Sequence, residues 1–157
     1  MGKSVNRVKR AAADLGLQIE VITLPESTRT AQQAADAVGC AVGQIAKSMI
    51  FEGAESGALK LVLVSGAHDL DLSRATEIFG EPLVRADPAR VRRESGFAIG
   101  GVSPIGHLCE MPTWIDAALM THDRVWAAGG APETVFEIAP DTLRAACGAV
   151  IFSQGGG

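Results

Sequence analysis

Long apolar runs, paired cysteines and an excess of positive charge are all missing from this chain. Over 157 residues no apolar stretch approaches the roughly 20 residues that a bilayer span requires. Met1 to Arg7 turns polar and helical instead of opening an apolar signal core, so the expected address is cytoplasmic, with no membrane partner. Three cysteines, Cys40, Cys109 and Cys147, are odd in number and widely spaced, which argues against a disulfide framework. No C-x-x-C pair is present, and His107-x-Cys109-Glu110 has no second ligand pair at a spacing that zinc uses, so no metal is expected. Cys40 and Cys147 read as buried structural thiols. Net charge is −4, so the surface as a whole does not advertise nucleic-acid binding. The basic clusters Lys3, Arg7, Lys9, Arg10 and Arg90, Arg92, Arg93 read as solvated helix faces.

What is present is an ordinary globular composition, 47% apolar and 20% charged. A chain of this length reads as one domain over residues 1–157, with an ordered core from about 3 to 153, burying roughly 70% of its unfolded surface. Val5, Val8, Ala12 and Leu15 recur at helical spacing between Ser4 and the stop at Gly16. Glu20–Leu24 reads as a strand closed by Pro25, and Thr30 with Gln33 forms a capping box opening a helix that ends at Gly39. Lys47–Phe51 and Leu59–Ser65 read as a hairpin. Helices are predicted over Ser73–Phe79, from Asp87-Pro88 to Glu94, and over Asp141–Cys147. Strands are predicted near Thr113–Asp116, Val125–Ala128, Val135–Ile138 and Ala149–Phe152, and the tail Gly155–Gly157 is expected to fray. This interspersion predicts an α+β fold around a mixed, mainly antiparallel sheet flanked by helices.

The chemistry concentrates in Gly100-Gly101-Val102-Ser103-Pro104-Ile105-Gly106-His107, directly after the apolar run Phe97-Ala98-Ile99, which reads as a strand. Glycine permits close approach to the main chain, and Pro104 fixes φ and removes a donor. Such a loop presents backbone N–H groups beside a hydroxyl and an imidazole, suited to a carbonyl or an anion. Ser103 sits outside any G-x-S-x-G elbow, so its hydroxyl reads as bonding the loop backbone or a substrate amine. His107 reads equally as a water-orienting base or as a residue satisfying a buried carbonyl. Asp116 reads as structural or solvated, and His68 and His122 as surface residues.

Ala46-Lys47-Ser48-Met49-Ile50-Phe51, the Gly100–Gly106 segment and Gly129-Gly130 occur in an order and spacing that resembles the YbaK/prolyl-tRNA-synthetase-associated editing domain family over nearly the whole chain. The resemblance implies a strongly curved mixed sheet and a freestanding deacylase that hydrolyses the ester of mischarged tRNA, most often tRNA(Pro), without cofactor or metal. It implies a pocket open to the tRNA 3′ acceptor end, with prolyl-tRNA synthetase as a further partner. Lys47 takes the position most associated with activity, and Gly100, Gly101, Ser103 and Pro104 take the loop around the scissile ester. Val102, His107, Gly129 and Gly130 take pocket positions. The cysteinyl-tRNA-specific members carry a tyrosine and an aspartate where this chain has Leu24 and Val135, and this chain has no tyrosine at all. That exchange implies an apolar floor for alanine or 2-aminobutyrate; serine or threonine would need Thr28, Thr30 or Ser103 as a polar partner. Two competing readings stand beside this one: a tRNA-end binding module without turnover, and a small ester or thioester hydrolase using Cys109 or His107.

Overall fold

The computed structural model describes residues 2–25 and 28–154; the expected frayed tail at 155–157 lies outside them. Helix α1 (Lys3–Asp14) buries Val5, Val8 and Ala12, the stripe its periodicity predicts. Strand β1 (Ile22–Thr23) is shorter than the predicted segment, because only Ile22 and Thr23 find partners, Val135 and Thr134. Helix α2 (Ala31–Val38) opens on the Thr30–Gln33 capping box and stops at Gly39 in the left-handed region. Strands β2 (Ile45–Gly53) and β3 (Leu59–Ser65) form the predicted antiparallel hairpin, in a register that sets Lys47 opposite Val64. Then follow α3 (Ala75–Phe79), β4 (Leu83–Arg85) and α4 (Pro88–Ser95), which Asp87 caps by accepting from the Arg90 amide. Strand β5 (Thr113–Asp116), β6 (Val125–Ala128), β7 (Thr134–Ile138), α5 (Pro140–Cys147) and β8 (Val150–Phe152) complete the chain.

The strands join one mixed sheet in the order β1-β7-β6-β2-β3-β5-β8, with β4 on β2. Four of its ladders are antiparallel, namely β1 with β7, β2 with β3, β2 with β4 and β6 with β7. The other three, β2 with β6, β3 with β5 and β5 with β8, are parallel. Strand β3, between β2 and β5, is buried at every residue. Its alternation serves both faces: Leu59, Leu61 and Leu63 enter the large cluster with α1 and α5, while Val62 and Val64 meet Phe79 and Phe152. A third, smaller cluster gathers Leu24, Ala34, Ala35 and Ile45 under α2. No helix among the described residues is long and apolar enough to cross a membrane.

Two expectations change. Phe97-Ala98-Ile99 is not a strand: Phe97 is 1% exposed and Ile99 55%, and the Ala98 carbonyl accepts the Gly101 N–H at 2.9 Å, closing a turn. The run parts its two large side chains between core and solvent instead of pairing its backbone. Strand β4, unpredicted, spans three residues after Pro82 and exists through its register with Phe51, Glu52 and Gly53.

Candidate active site

Strand β2 has β3 along one edge and two different partners along the other. Ile45 and Ala46 pair with β6, and Phe51 to Gly53 pair with β4. Between these ladders residues 47–50 pair only with β3. The sheet therefore splays just beyond Ala46, and a cleft of about 240 Å³ opens there. That volume holds about eight waters, below the roughly 300–1,000 Å³ of sites that enclose a drug-sized molecule. Its size suits a small group only.

Lys47, Gly100, Val102, Leu24, Thr28, Thr30 and Val135 all line this cleft, so the structure brings together residues up to 111 positions apart, 24 to 135. Leu24, Ala34, Ile45, Trp126 and Val135 make its apolar side, an extension of the small cluster under α2. The Lys47 ammonium donates to the His68 carbonyl at 2.6 Å and lies 3.9 Å from the carboxylate of Asp69, which is fully exposed. Its charge is anchored at the cleft yet only loosely neutralised, which leaves it available to an anion. His68, read as a surface residue, is half-exposed but engaged: its Nδ1 lies 3.0 Å from the Asp116 Oδ2, an almost wholly buried carboxylate. Asp116 also accepts from the amides of Ser65 and Ala118. Asp116 therefore fixes the turn that holds Lys47 through two of these contacts, His68 and Ser65.

The Gly100 loop divides its duties by residue. Gly100 has φ +96° and open space where a Cβ would stand. The N–H groups of Gly100 and Val102 donate to no backbone group among the described residues, whereas that of Gly101 is used by Ala98. Gly101 packs against the Ala131–Pro132 backbone, where a Cβ would come within 2.9 Å of Ala131. Ser103 is fully buried and its Oγ accepts the Ile105 N–H at 3.3 Å, so the hydroxyl serves the loop backbone. Pro104 is buried behind it. Gly129 donates to Thr134 within the β6–β7 turn, and Gly130 lies against the α1 backbone at Ser4, both outside the cleft lining.

His107 does not reach the cleft either. It lines a larger cavity of about 690 Å³ with Cys109 and Cys147, farther along the loop. Volume alone would favour that cavity, but it lacks Lys47 and both available loop amides. His107 Nε2 meets the Ser103 carbonyl at 2.6 Å, and Nδ1 is buried without a partner among the described residues. Burial, and then nearby Arg7, draw its pKa below the ordinary value, against the raising effect of the Ser103 carbonyl. Both nitrogens are thus occupied or enclosed, and neither is free to activate the exposed Cys109. Burial pushes the Cys147 thiol up to about 11. Among the described residues no three His, Cys, Asp or Glu side chains gather as metal ligands.

Several residues at the site went unread in the sequence. Arg7 on α1 donates Nε to Gly106 O at 2.6 Å and Nη2 to Gly96 O at 2.8 Å, with its guanidinium 4.7 Å from the Phe97 ring centre. Arg7 thereby ties both ends of the glycine-rich loop, rather than joining a solvated basic face. Ser48 lines the cleft, and its Oγ is buried without a partner among the described residues. Arg29 and Glu133 also line it, 3.9 Å apart.

Residues 25–146 match the aminoacyl-tRNA editing domain family. The chain belongs to that family. A solved structure described as a candidate trans-editing enzyme for prolyl-tRNA synthetase superposes with a TM-score of 0.91 at 46% identity, covering 98% of this chain and 97% of that one. The uncharacterized protein YwhH of Bacillus subtilis is 29% identical over 124 residues, 79% of this chain and 78% of its own. EbsC of Enterococcus faecalis, named as a candidate Cys-tRNA(Pro)/Cys-tRNA(Cys) deacylase, is 24% identical over 119 residues, 75% of this chain and 72% of its own. The curved mixed sheet is therefore the editing-domain fold, and the chain falls in the class of aminoacyl-tRNA deacylases.

Proposed function

We propose that this protein is a trans-editing hydrolase that removes a small wrong amino acid from tRNA(Pro). The observation that carries the reading is the meeting of Lys47 with the Gly100 and Val102 amides in one small, apolar-sided cleft at the splay between β2 and β6. An aminoacyl ester is reactive already, so its hydrolysis asks for a placed water and a stabilised oxyanion more than for a strong nucleophile. Water adds to the carbonyl carbon, the carbonyl oxygen takes up the negative charge, and the ester C–O bond then breaks. The terminal ribose oxygen leaves with one of the water's protons, the other passes to solvent, and the amino acid departs as its carboxylate. Backbone amides aimed at the oxyanion contribute about 3–4 kcal/mol per donor in comparable sites. Gly100 and Val102 are the donors in this reading, while Gly101, Ser103 and Pro104 hold the loop in shape so that little reorganisation accompanies the reaction.

Lys47 anchors the anionic tRNA end as a point charge. Leu24 and Val135 form the floor that meets the amino-acid side chain, which favours alanine or 2-aminobutyrate over cysteine. A site of this kind separates neighbours differing by one methylene by only about 1–3 kcal/mol, so several small residues are accepted. With net charge −4 the chain holds tRNA weakly by itself, and capture alongside prolyl-tRNA synthetase compensates. The names of the solved relative and of EbsC support the proline-tRNA assignment. The test is deacylation of tRNA(Pro) charged in turn with Ala, Ser, Thr, Cys and 2-aminobutyrate: the alanyl and 2-aminobutyryl esters should turn over fastest. Hydrolysis of none of the five would refute the reading.

A further inference from the structure

Every aminoacyl-tRNA carries, one carbon from its ester, an α-amino group that is an ammonium when protonated. A cleft that binds the ester must either satisfy that group or leave it in water. Among the described residues lining the cleft, Glu133 is the one carboxylate, set among apolar side chains, three threonines, Ser48 and two cations. Glu133 is also the one described non-glycine residue with positive φ, +66°. Residues with a Cβ adopt that conformation rarely, and they keep it where surrounding bonds hold it. Here the Glu133 carbonyl accepts the Leu24 N–H at 2.6 Å, which locks the turn to the floor of the cleft. The preceding turn is closed by Thr134, whose Oγ1 both donates to and accepts from the Ala131 backbone.

We propose that Glu133 binds the α-ammonium of the aminoacyl group and so distinguishes aminoacyl esters from other esters at a tRNA end. The carboxylate is only loosely engaged otherwise: the Arg29 guanidinium lies 3.9 Å away, on a side chain that is 74% exposed, against 21% for Glu133. A contact of that length at the surface is cheap to break. Arg29 is then free to turn to the phosphates of the incoming strand while Glu133 takes the ammonium. This places the three charges of the cleft in register with the ligand: Lys47 and Arg29 for the anionic tRNA, Glu133 for the cationic amino acid. Leu24, bonded to Glu133 through its main chain, meets the amino-acid side chain, so the ammonium site and the side-chain site are joined by one hydrogen bond.

The inference rests on the deacylase reading, and the test separates the two. Alanyl-tRNA(Pro) is compared with lactyl-tRNA(Pro), the same ester with a hydroxyl replacing the ammonium, below neutral pH. The wild-type protein should prefer the alanyl ester by about tenfold to a hundredfold in kcat/KM, the scale of one hydrogen bond to a charged group. Glu133→Gln should remove most of that preference, lowering the alanyl rate and leaving the lactyl rate within about twofold, the scale of a change confined to one contact. Glu133→Asp should restore part of it, and Glu133→Gly, which suits the positive φ, should fold well and still lack it. Equal loss on both esters in Glu133→Gln would assign Glu133 a structural role and overturn the inference. A wild-type protein that hydrolyses both esters without preference overturns it while leaving the deacylase reading intact; one that hydrolyses neither overturns both.

Discussion

Lys47 and His68 meet main chain to side chain: the ammonium donates to the His68 carbonyl at 2.6 Å, while the imidazole of the same histidine leans on Asp116 at 3.0 Å. The position of the cation that defines this site is therefore set two contacts away, by a buried carboxylate at the end of β5. Asp116 also holds the Ser65 and Ala118 amides, so one carboxylate closes the turn after β3 and the start of the turn after β5.

Asp116→Asn tests that arrangement. It keeps the volume but turns an amide N–H₂ toward groups that need an acceptor. Loss of one such buried bond is worth about 1–3 kcal/mol. We expect the urea midpoint to fall with an unchanged m-value, and kcat/KM to fall further than the stability loss explains, through the loosened Lys47. Unchanged activity in a measurably destabilised Asp116→Asn protein would separate Asp116 from Lys47.

Neighbouring glycines of the loop should fail in different ways. Gly100→Ala meets open space but must keep φ +96°, a strain of about 1–2 kcal/mol, and it puts a methyl where the ester is proposed to lie. Gly101→Ala has no such φ problem and instead presses on the Ala131 backbone at 2.9 Å, overpacking worth about 1–3 kcal/mol. Activity loss in Gly100→Ala should therefore exceed its loss in thermal stability. Gly101→Ala should lower both together, since the Ala131–Pro132 backbone it presses on precedes Glu133.

Arg7 bridges Gly96 and Gly106 with two different nitrogens, which a lysine cannot reproduce. Arg7→Lys should cost about 1–3 kcal/mol and raise hydrogen exchange at the loop amides between residues 96 and 106 before it affects the rest of the protein. Uniform exchange across the chain would contradict the tie.

Acid should unfold the protein in two windows. Glu81 accepts from the Glu55 and Ser56 amides, the Ser56 hydroxyl and Lys60, which together hold its carboxyl at about 2 against an ordinary 4.5; the Ser56 amide is the largest cause. A depressed carboxyl stabilises the fold above its unfolded pKa, so this contribution is complete above about pH 4.5 and is lost as pH falls toward about 2. His107, held neutral by burial, is depressed below 6.5, so its contribution is intact above that pH and declines as pH drops beneath it. Glu81→Gln should flatten the lower window alone, and His107→Gln the upper alone, in urea midpoints measured from pH 8 to pH 3.

Local signals carried much of this fold. The capping box at Thr30, Asp87-Pro88 and the β2–β3 hairpin rest on residues a few positions apart, and each formed within a residue or two of its prediction. The cleft-lining positions Lys47, Gly100, Leu24 and Val135 came from matching a family pattern, which periodicity alone does not contain. What stayed hidden depends on distance in the chain or on a dihedral. Arg7 meets Gly106 across 99 positions, and its charge reads as solvation until the fold brings them together. Glu133 looks like an ordinary acidic turn residue, because a positive φ is announced in sequence only by glycine or asparagine. The family resemblance sets His107 in the pocket, yet Gly106, at φ +82°, turns the chain, and the imidazole bonds the Ser103 carbonyl outside the cleft.

The most direct measurement is single-turnover deacylation of alanyl-tRNA(Pro) by the wild-type protein and by Lys47→Ala, with thermal melting of both. The Lys47 side chain is 30% exposed and donates to the His68 carbonyl, so its removal should cost about 1–3 kcal/mol and lower the melting midpoint by a few degrees while leaving the protein folded. The wild type should hydrolyse the ester, and Lys47→Ala should lose at least about tenfold in rate, as expected for a charged contact made to the bound substrate. Full activity in a well-folded Lys47→Ala protein would contradict the account.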